Sequence, residues 1–526
     1  MNYELRIMNF EPGVLKSEFI IPPSERNQVP AAKNDNPTRN DAWWVLLALV
    51  AVAALRLYGL SAAALPDYDS VRNWQIVQEV ARGNLRNLFH HGSPGFSLLY
   101  APVAWLTTDF HVFQYLNALL AVAAAGALAR FVGREARLRG PETALLLLFI
   151  GSSVFLTFSG RDFTMGSASL LVFVGLLRAY YRRLQEPSRA ALLTAALWLM
   201  LGLSINYKFL LTLPILVVFE LLQRDGLFGQ HGSWWRVAAL LAAPYVVLSA
   251  VGMAAGLPWY RWVGVYYNIV FPGAANASGR VSSVHFDALY YVQFLRDFES
   301  PLVLLALLAV PWLWRRELFT RLRTINLPCY LAVWAYCYLA GMSVLIKAPR
   351  GLLLAYGLFY ALTFLSLRRL LPVRGLVLVV LLAVGLNGFR IQREIYAYSP
   401  SHYPDAAAWL QAHGAKRVVS TVGLGLAPLT PGLDSLRTIT DERQLTALRR
   451  RGYQYVLLDA YWRVAGVARF DSLTRQPALA AWPEPLLTSP LLFLEHSEFT
   501  GLNYAETLAR QHAARQDSLQ LRLLKL

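Results

Sequence analysis

From residue 43 to residue 391 the chain alternates long apolar runs with short polar breaks. The runs occupy 43–60, 112–132, 141–159, 163–181, 190–206, 208–222, 236–256, 301–314, 327–346, 351–367 and 374–391. A helix rises about 1.5 Å per residue, so runs of this order suit a hydrocarbon layer about 30 Å thick. The pattern predicts an all-α polytopic membrane domain over 41–391 with about eleven transmembrane helices. Residues 1–40 are polar and predict a disordered tail. From residue 392 the texture changes. KRVVS, SLRTIT, YQYVLLD and LQLRLLKL read as strands, DERQLTALRRRG as a helix capped by Asp441, and LNYAETLARQHAAR as a second helix. Residues 392–526 are thus expected to form a small α/β domain.

Charge fixes the expected orientation. The 526 residues carry a formal charge of +17, although only 15% are charged and 56% are hydrophobic. The excess is arginine in the breaks, in clusters such as Arg130, Arg134, Arg137 and Arg139, or Arg315, Arg316, Arg321 and Arg323. No basic face with interleaved aromatics suggests a nucleic-acid groove, and the positive-inside rule accounts for the arginines as cytoplasmic loops. If 43–60 is an uncleaved signal anchor running outward and Arg130–Arg139 is inside, one span separates them. The apolar stretch 94–108, about 15 residues long, then does not cross and is read as an interfacial or re-entrant helix on the outer face. The N-terminus is placed in the cytoplasm and the C-terminal domain in the periplasm. Cys329 and Cys337 share one apolar run and read as packing residues.

Polar residues at the outer ends of spans are the candidates for chemistry. The stretch LPDYDSVRNWQIVQEVARGNLRNLFHHGSP (65–94) holds Asp67 and Asp69, an amphipathic helix pattern, Gly83 and the pair His90–His91. The plain alternative is a solvated loop in which the carboxylates are turn residues and a helix cap. Between residues 41 and 391 only two lysines occur, Lys208 and Lys347, both at outer span ends, and Arg350 follows the second. A compact ammonium there suits a phosphate oxygen, and a snorkelling lysine is the alternative. Asp162, beside Arg161, opens a span from the outside, where a helix cap with a surface ion pair is the alternative. His285 precedes an amphipathic pattern in the long outer loop 257–300. The histidines have no metal-ligand spacing. No G-x-S-x-G elbow, Walker loop or Cys-x-x-Cys occurs, and TVGLGLAP lacks the third glycine of a dinucleotide fingerprint.

Over residues 43–391 this layout resembles the GT-C membrane glycosyltransferases, especially family 39, which includes protein O-mannosyltransferases and the lipid A aminoarabinose transferase. Asp69, Trp74, Gly83 and Asn84 follow the family's first outer loop, with Ser70 where a Glu is common. Ser93-Pro94-Gly95 with Tyr100, Arg161-Asp162, Gly202-Leu203 with Lys208, and Lys347-Ala-Pro-Arg350 follow in family order. The resemblance implies a GT-C-like fold and inverting transfer of a sugar from a polyprenyl-phosphate donor to an acceptor hydroxyl at the periplasmic face of a bacterial inner membrane. It assigns Asp69 as general base, with Asp67 next in line. Lys208 and either Lys347 or Arg350 stabilise the leaving phosphate, and Asp162 and His285 orient the acceptor. The implied partners are the lipid donor, a lipid, glycan or protein acceptor, and membrane lipids, with no nucleic acid. No cofactor is implied, with a divalent cation left open because some relatives use one. The competing class is a transporter or flippase of lipid-linked sugars, which predicts inverted repeats and mid-bilayer charges.

Overall fold

The structure, a computed structural model, describes residues 39–526 apart from residues 66, 223–232, 271–286, 321–324, 346, 422–424, 440, 466–469 and 517–519. The expected tail lies outside the described residues up to residue 38. Helices α1 (Arg39–Leu57), α2 (Tyr68–Ala81), α3 (Pro94–Leu106) and α4 (Phe110–Glu135) come first. α5 (Gly140–Gly151) and α6 (Val154–Gly160) meet at a 70° bend. α7 (Gly166–Gln185), α8 (Arg189–Ile205), α9 (Thr212–Leu222) and α10 (Ser233–Ala254) follow. Then come α11 (Arg261–Val270), α12 (Ala288–Asp297), α13 (Pro301–Leu313), α14 (Arg315–Thr320), α15 (Leu327–Val344), α16 (Leu353–Leu370) and α17 (Val373–Glu394).

Among the described residues every apolar run read from the sequence is mainly helical. Among the described residues six helices are long and apolar enough to cross a membrane, seven when α5 and α6 count as one bent span. The others fall short for simple reasons. α8, α9 and α13 have 17, 11 and 13 residues, and α7 carries Arg178, Arg182 and Arg183. The run 94–108 forms α3, whose 13 residues extend about 20 Å, well under a bilayer's hydrocarbon thickness. The α5–α6 bend has its own partner. The buried Glu299 carboxylate accepts from Ser153 Oγ (3.0 Å), Val154 N (3.2 Å), Phe155 N (2.7 Å) and Tyr360 Oη (2.5 Å). A broken helix in an apolar interior needs such acceptors for its freed donors.

α2 begins at Asp67, whose carboxylate accepts from Ser70 N (2.8 Å), and ends at Gly83, whose φ of +79° suits glycine. It lies on α3, and α3 lies on α8. Trp74 Nε1 donates to the Thr108 carbonyl (3.1 Å) and Trp105 Nε1 to that of Ala81 (2.8 Å), pinning α2 to α3. Gly95 permits the α3–α8 contact, since a Cβ there would stand 2.8 Å from the Ser204 carbonyl oxygen.

Beyond α17 five strands form one sheet: β1 (Arg417–Ser420), β2 (Ser435–Thr438), β3 (Tyr455–Leu458), β4 (Ala480–Pro483) and β5 (Gln520–Lys525), in the order β2-β1-β3-β5-β4. β1 pairs parallel with β2 and β3, and β5 pairs antiparallel with β3 and β4. One face, with Val418, Leu457, Leu521 and Leu523, joins the apolar core of the helices. The other, with Val419, Val456, Leu458 and Leu524, packs a second core with Phe470 and Leu473. The four strands read from the sequence are present. β4 was missed: AAWP shows no apolar alternation and forms an edge strand paired only with β5.

Candidate active site

At the N-terminal end of α2 the structure brings together Asp67, Asp69, Asp162, Lys208 and Arg350. Asp67 and Asp162 are buried, each about 7% exposed, and Ser70 between them is fully buried. Asp67 Oδ1 accepts from Ser70 Oγ at 2.7 Å. The same hydroxyl is in hydrogen-bond contact with Asp162 Oδ1, and Phe163 N donates to that oxygen at 2.6 Å. The Asp162 backbone carbonyl accepts from Asn117 Nδ2 (2.5 Å), and Asn117 Oδ1 accepts from Tyr100 Oη (2.9 Å). Burial, then the neighbouring Asp69 charge, pushes the Asp67 carboxyl up to about 6. Burial, then Asp67, pushes Asp162 well above the usual carboxylate range.

Asp69 is different. Its side chain is 32% exposed, Arg350 Nη1 lies 3.2 Å from its Oδ2 and His91 Nδ1 lies 4.0 Å from its Oδ1. Arg350 also reaches towards Glu495, with Nε 3.7 Å from Oε2. Lys208 Nζ donates to the Arg350 backbone carbonyl (2.6 Å). The short turn carrying Arg350 (Pro349–Leu352) is held by Tyr291 Oη on the Ala348 carbonyl (3.2 Å) and Tyr356 Oη on that of Pro349 (3.1 Å). Gly351 leaves room for that Tyr291 hydroxyl, since a Cβ there would stand 2.9 Å from it. Lys208 is aimed by Asn206, which accepts from the Lys208 amide (3.0 Å) and donates to Ser169 Oγ (3.0 Å).

Two residues named from the sequence stand elsewhere, Lys347 and Arg161. Lys347, expected near water, is buried to 4% exposure. Its ammonium donates to the Leu345 carbonyl, and burial holds it below its ordinary range despite the Asp287 charge. Of the two cations offered at this turn, Arg350 is the one facing Asp69. Arg161 does not pair with Asp162 as a surface ion pair: its guanidinium donates to the carbonyls of Arg56 (2.9 Å) and Tyr58 (2.5 Å) and lies over the Tyr396 ring. His285 lies outside the described residues.

The sequence reading missed what comes from beyond residue 416. Glu495 approaches Arg350, Ser497 Oγ donates to the Lys347 carbonyl (2.8 Å), and Tyr461, hydrogen-bonded to His496 Nε2 (2.7 Å), lies close enough to feel the charges of Asp67 and Asp69. The one signal was the polar triplet Glu495-His496-Ser497 directly after PLLFL. Among the described residues no group of three or more His, Cys, Asp or Glu side chains is arranged to hold a metal ion. The cluster offers an accessible carboxylate, a buried carboxyl pair and two cations. That set can take a proton at one point and steady an anion at another.

The fold carrying this cluster is the GT-C fold of membrane glycosyltransferases. ArnT from Cupriavidus metallidurans in the apo state aligns with a TM-score of 0.55 at 15% identity, over 82% of this chain and 97% of ArnT. The same protein bound to undecaprenyl phosphate aligns with 0.51 at 14% identity, over 81% and 95%. The archaeal oligosaccharyltransferase AglB from Archaeoglobus fulgidus, in complex with an inhibitory peptide and a dolichol-phosphate, aligns with 0.51 at 12% identity, over 81% and 70%. At these identities the likeness defines the fold. No family model matches the sequence, and no curated protein matches it.

Proposed function

We propose that this chain is an inverting glycosyltransferase that moves a sugar from a polyprenyl-phosphate donor to an acceptor hydroxyl on the periplasmic face of a bacterial inner membrane. The observation that carries the reading is Arg350 set against the accessible Asp69, with Lys208 on the Arg350 carbonyl. Asp69 takes the proton of the acceptor hydroxyl as general base. The acceptor oxygen attacks the anomeric carbon from the face opposite the phosphate. The bond from that carbon to the phosphate oxygen breaks, and the phosphate leaves with the electron pair. Arg350 and Lys208 neutralise its growing charge. Asp162 and His285 are kept as acceptor-orienting candidates, and Lys347 as a residue that shapes the Arg350 turn. In this reading residues 41–391 are the catalytic membrane domain, 392–526 a periplasmic domain that closes over the site, and the protein's own cations do the work without a cofactor. ArnT with undecaprenyl phosphate and AglB with dolichol-phosphate support the choice of a lipid phosphate as donor carrier.

The direct test is reconstitution in liposomes with a radiolabelled sugar on undecaprenyl phosphate and a membrane extract as acceptor source. Discharge of the lipid donor with label appearing on an acceptor is expected. Movement of intact donor between leaflets, without discharge, would assign the chain to the transporters or flippases.

Sidedness is tested separately. A reporter fused after Arg139 is expected to read cytoplasmic and one after Thr108 periplasmic. A cytoplasmic reading after Thr108 would mean that the segment containing α3 crosses, and the sidedness of every later loop would have to be assigned again.

A further inference from the structure

The contact between Ser70 and its two carboxylates has a consequence in proton counting. A hydroxyl carries one proton. Ser70 Oγ lies 2.7 Å from Asp67 Oδ1 and in hydrogen-bond contact with Asp162 Oδ1, so it donates to one and accepts from the other. The acceptance requires a carboxyl O–H. We propose that Asp67, Ser70 and Asp162 form a buried unit that shares one proton and carries one negative charge, with Ser70 as a positioning residue for the transfer reaction.

The surroundings decide where the proton sits. Asp67 has Asp69 near it in the first turn of α2, Arg350 in the turn before α16, and Tyr461 just after β3. Asp162 faces Asp67 and Glu495. Behind it is a small recess whose lining includes Arg161, Glu394 and Tyr398. The Arg161 guanidinium is engaged with backbone carbonyls, and the Glu394 carboxylate with Arg393. Asp67 therefore has the cation, and Asp162 has mainly anions for company. Asp162 holds the proton on Oδ1, donating to Ser70 while a lone pair of the same oxygen accepts from Phe163 N, and Ser70 donates to ionised Asp67. Burial acts in the same direction on Asp162.

The unit matters because the proposed donor is an anion, so the pH effect on transfer rests on that reading. A second negative charge next to Asp67 would add repulsion against the lipid phosphate drawn to Arg350, and a single charge adds less. As pH rises and the shared proton is lost, donor KM rises. The bridge stabilises the singly protonated unit against both gain and loss of a proton. Removing it narrows the pH window from both sides.

Two measurements test this. Infrared difference spectra of the whole protein at neutral pH are expected to show a protonated-carboxyl stretch that Asp162→Asn removes. Its absence in the wild type overturns the shared proton whether or not the chain transfers sugar. In transfer assays Ser70→Ala is expected to move the high-pH rise of donor KM about one unit lower, the worth of one hydrogen bond to a charged group. Ser70→Thr, which keeps the hydroxyl, is expected to restore it. A KM profile unchanged in Ser70→Ala, or equally shifted in Ser70→Thr, overturns the role of Ser70. A wild type that shows the stretch but transfers nothing refutes the glycosyltransferase reading and leaves the proton-sharing unit standing.

Discussion

Asp69→Asn is expected to lower sugar transfer by roughly 10²–10⁴-fold, the usual contribution of a general base, while the protein still binds its lipid donor. Asparagine keeps the size and can still accept from Arg350, but takes no proton at neutral pH. On the proposed mechanism donor binding survives, because the phosphate is assigned to Arg350 and Lys208 and not to Asp69. It should even tighten slightly, since Arg350 loses the carboxylate 3.2 Å away that competes for it. Transfer from labelled lipid donor, with donor affinity measured in parallel, checks both halves. The companion Asp67→Asn separates the two carboxylates. If it abolishes transfer while Asp69→Asn stays active, the base is the buried residue and the assignment is two residues out of register. Full transfer in both variants would end the acid–base role of this loop.

The division between these two carboxylates was partly legible in the sequence. Asp67 and Asp69 flank the start of an amphipathic helix pattern, where an Asp is an N-cap signal. Asp67 is that cap, in extended backbone with its carboxylate on Ser70 N, while its burial depends on Asp162, 92 residues away from Ser70, and is written in no local pattern. The apolar runs gave the helices because each is long enough to need no other information. β1 and β3 were legible because both their faces are buried, which leaves unbroken apolar runs such as VV and VLL. Lys347 and Arg350 could not be told apart, because they sit three residues apart in a segment that is not a regular helix, so no periodicity says which side chain turns toward Asp69. The approach of Glu495 and Tyr461 was illegible for a different reason. It depends on how the sheet seats against the helices, and that contact is written in shape over hundreds of residues and in no local motif.

Arg350→Ala is the second large effect. Removing one donor aimed at a developing anion typically costs about 10²–10³ in kcat, and Arg350 is the guanidinium that faces both Asp69 and Glu495. Its loss leaves two carboxylates facing the same space, so the lipid phosphate meets repulsion where it had a partner. The loss should fall mainly on kcat, because the phosphate gains its full charge only as the bond to the sugar breaks. Arg350→Lys keeps the charge but not the planar fork that can reach a carboxylate and a phosphate together, so it should recover only part of the activity. Lys208→Ala should cost less, since it removes the ammonium and also the hydrogen bond on the Arg350 carbonyl, while leaving the guanidinium in place. Lys347→Ala supplies the contrast. Its ammonium is buried against the Leu345 carbonyl, so the change should register in thermal stability and little in donor affinity. Steady-state kinetics of the four variants decide the matter. If Arg350→Ala keeps kcat within about threefold of wild type while Lys347→Ala loses donor binding, the phosphate lies on the other cation of this turn, and the turn must open to admit it.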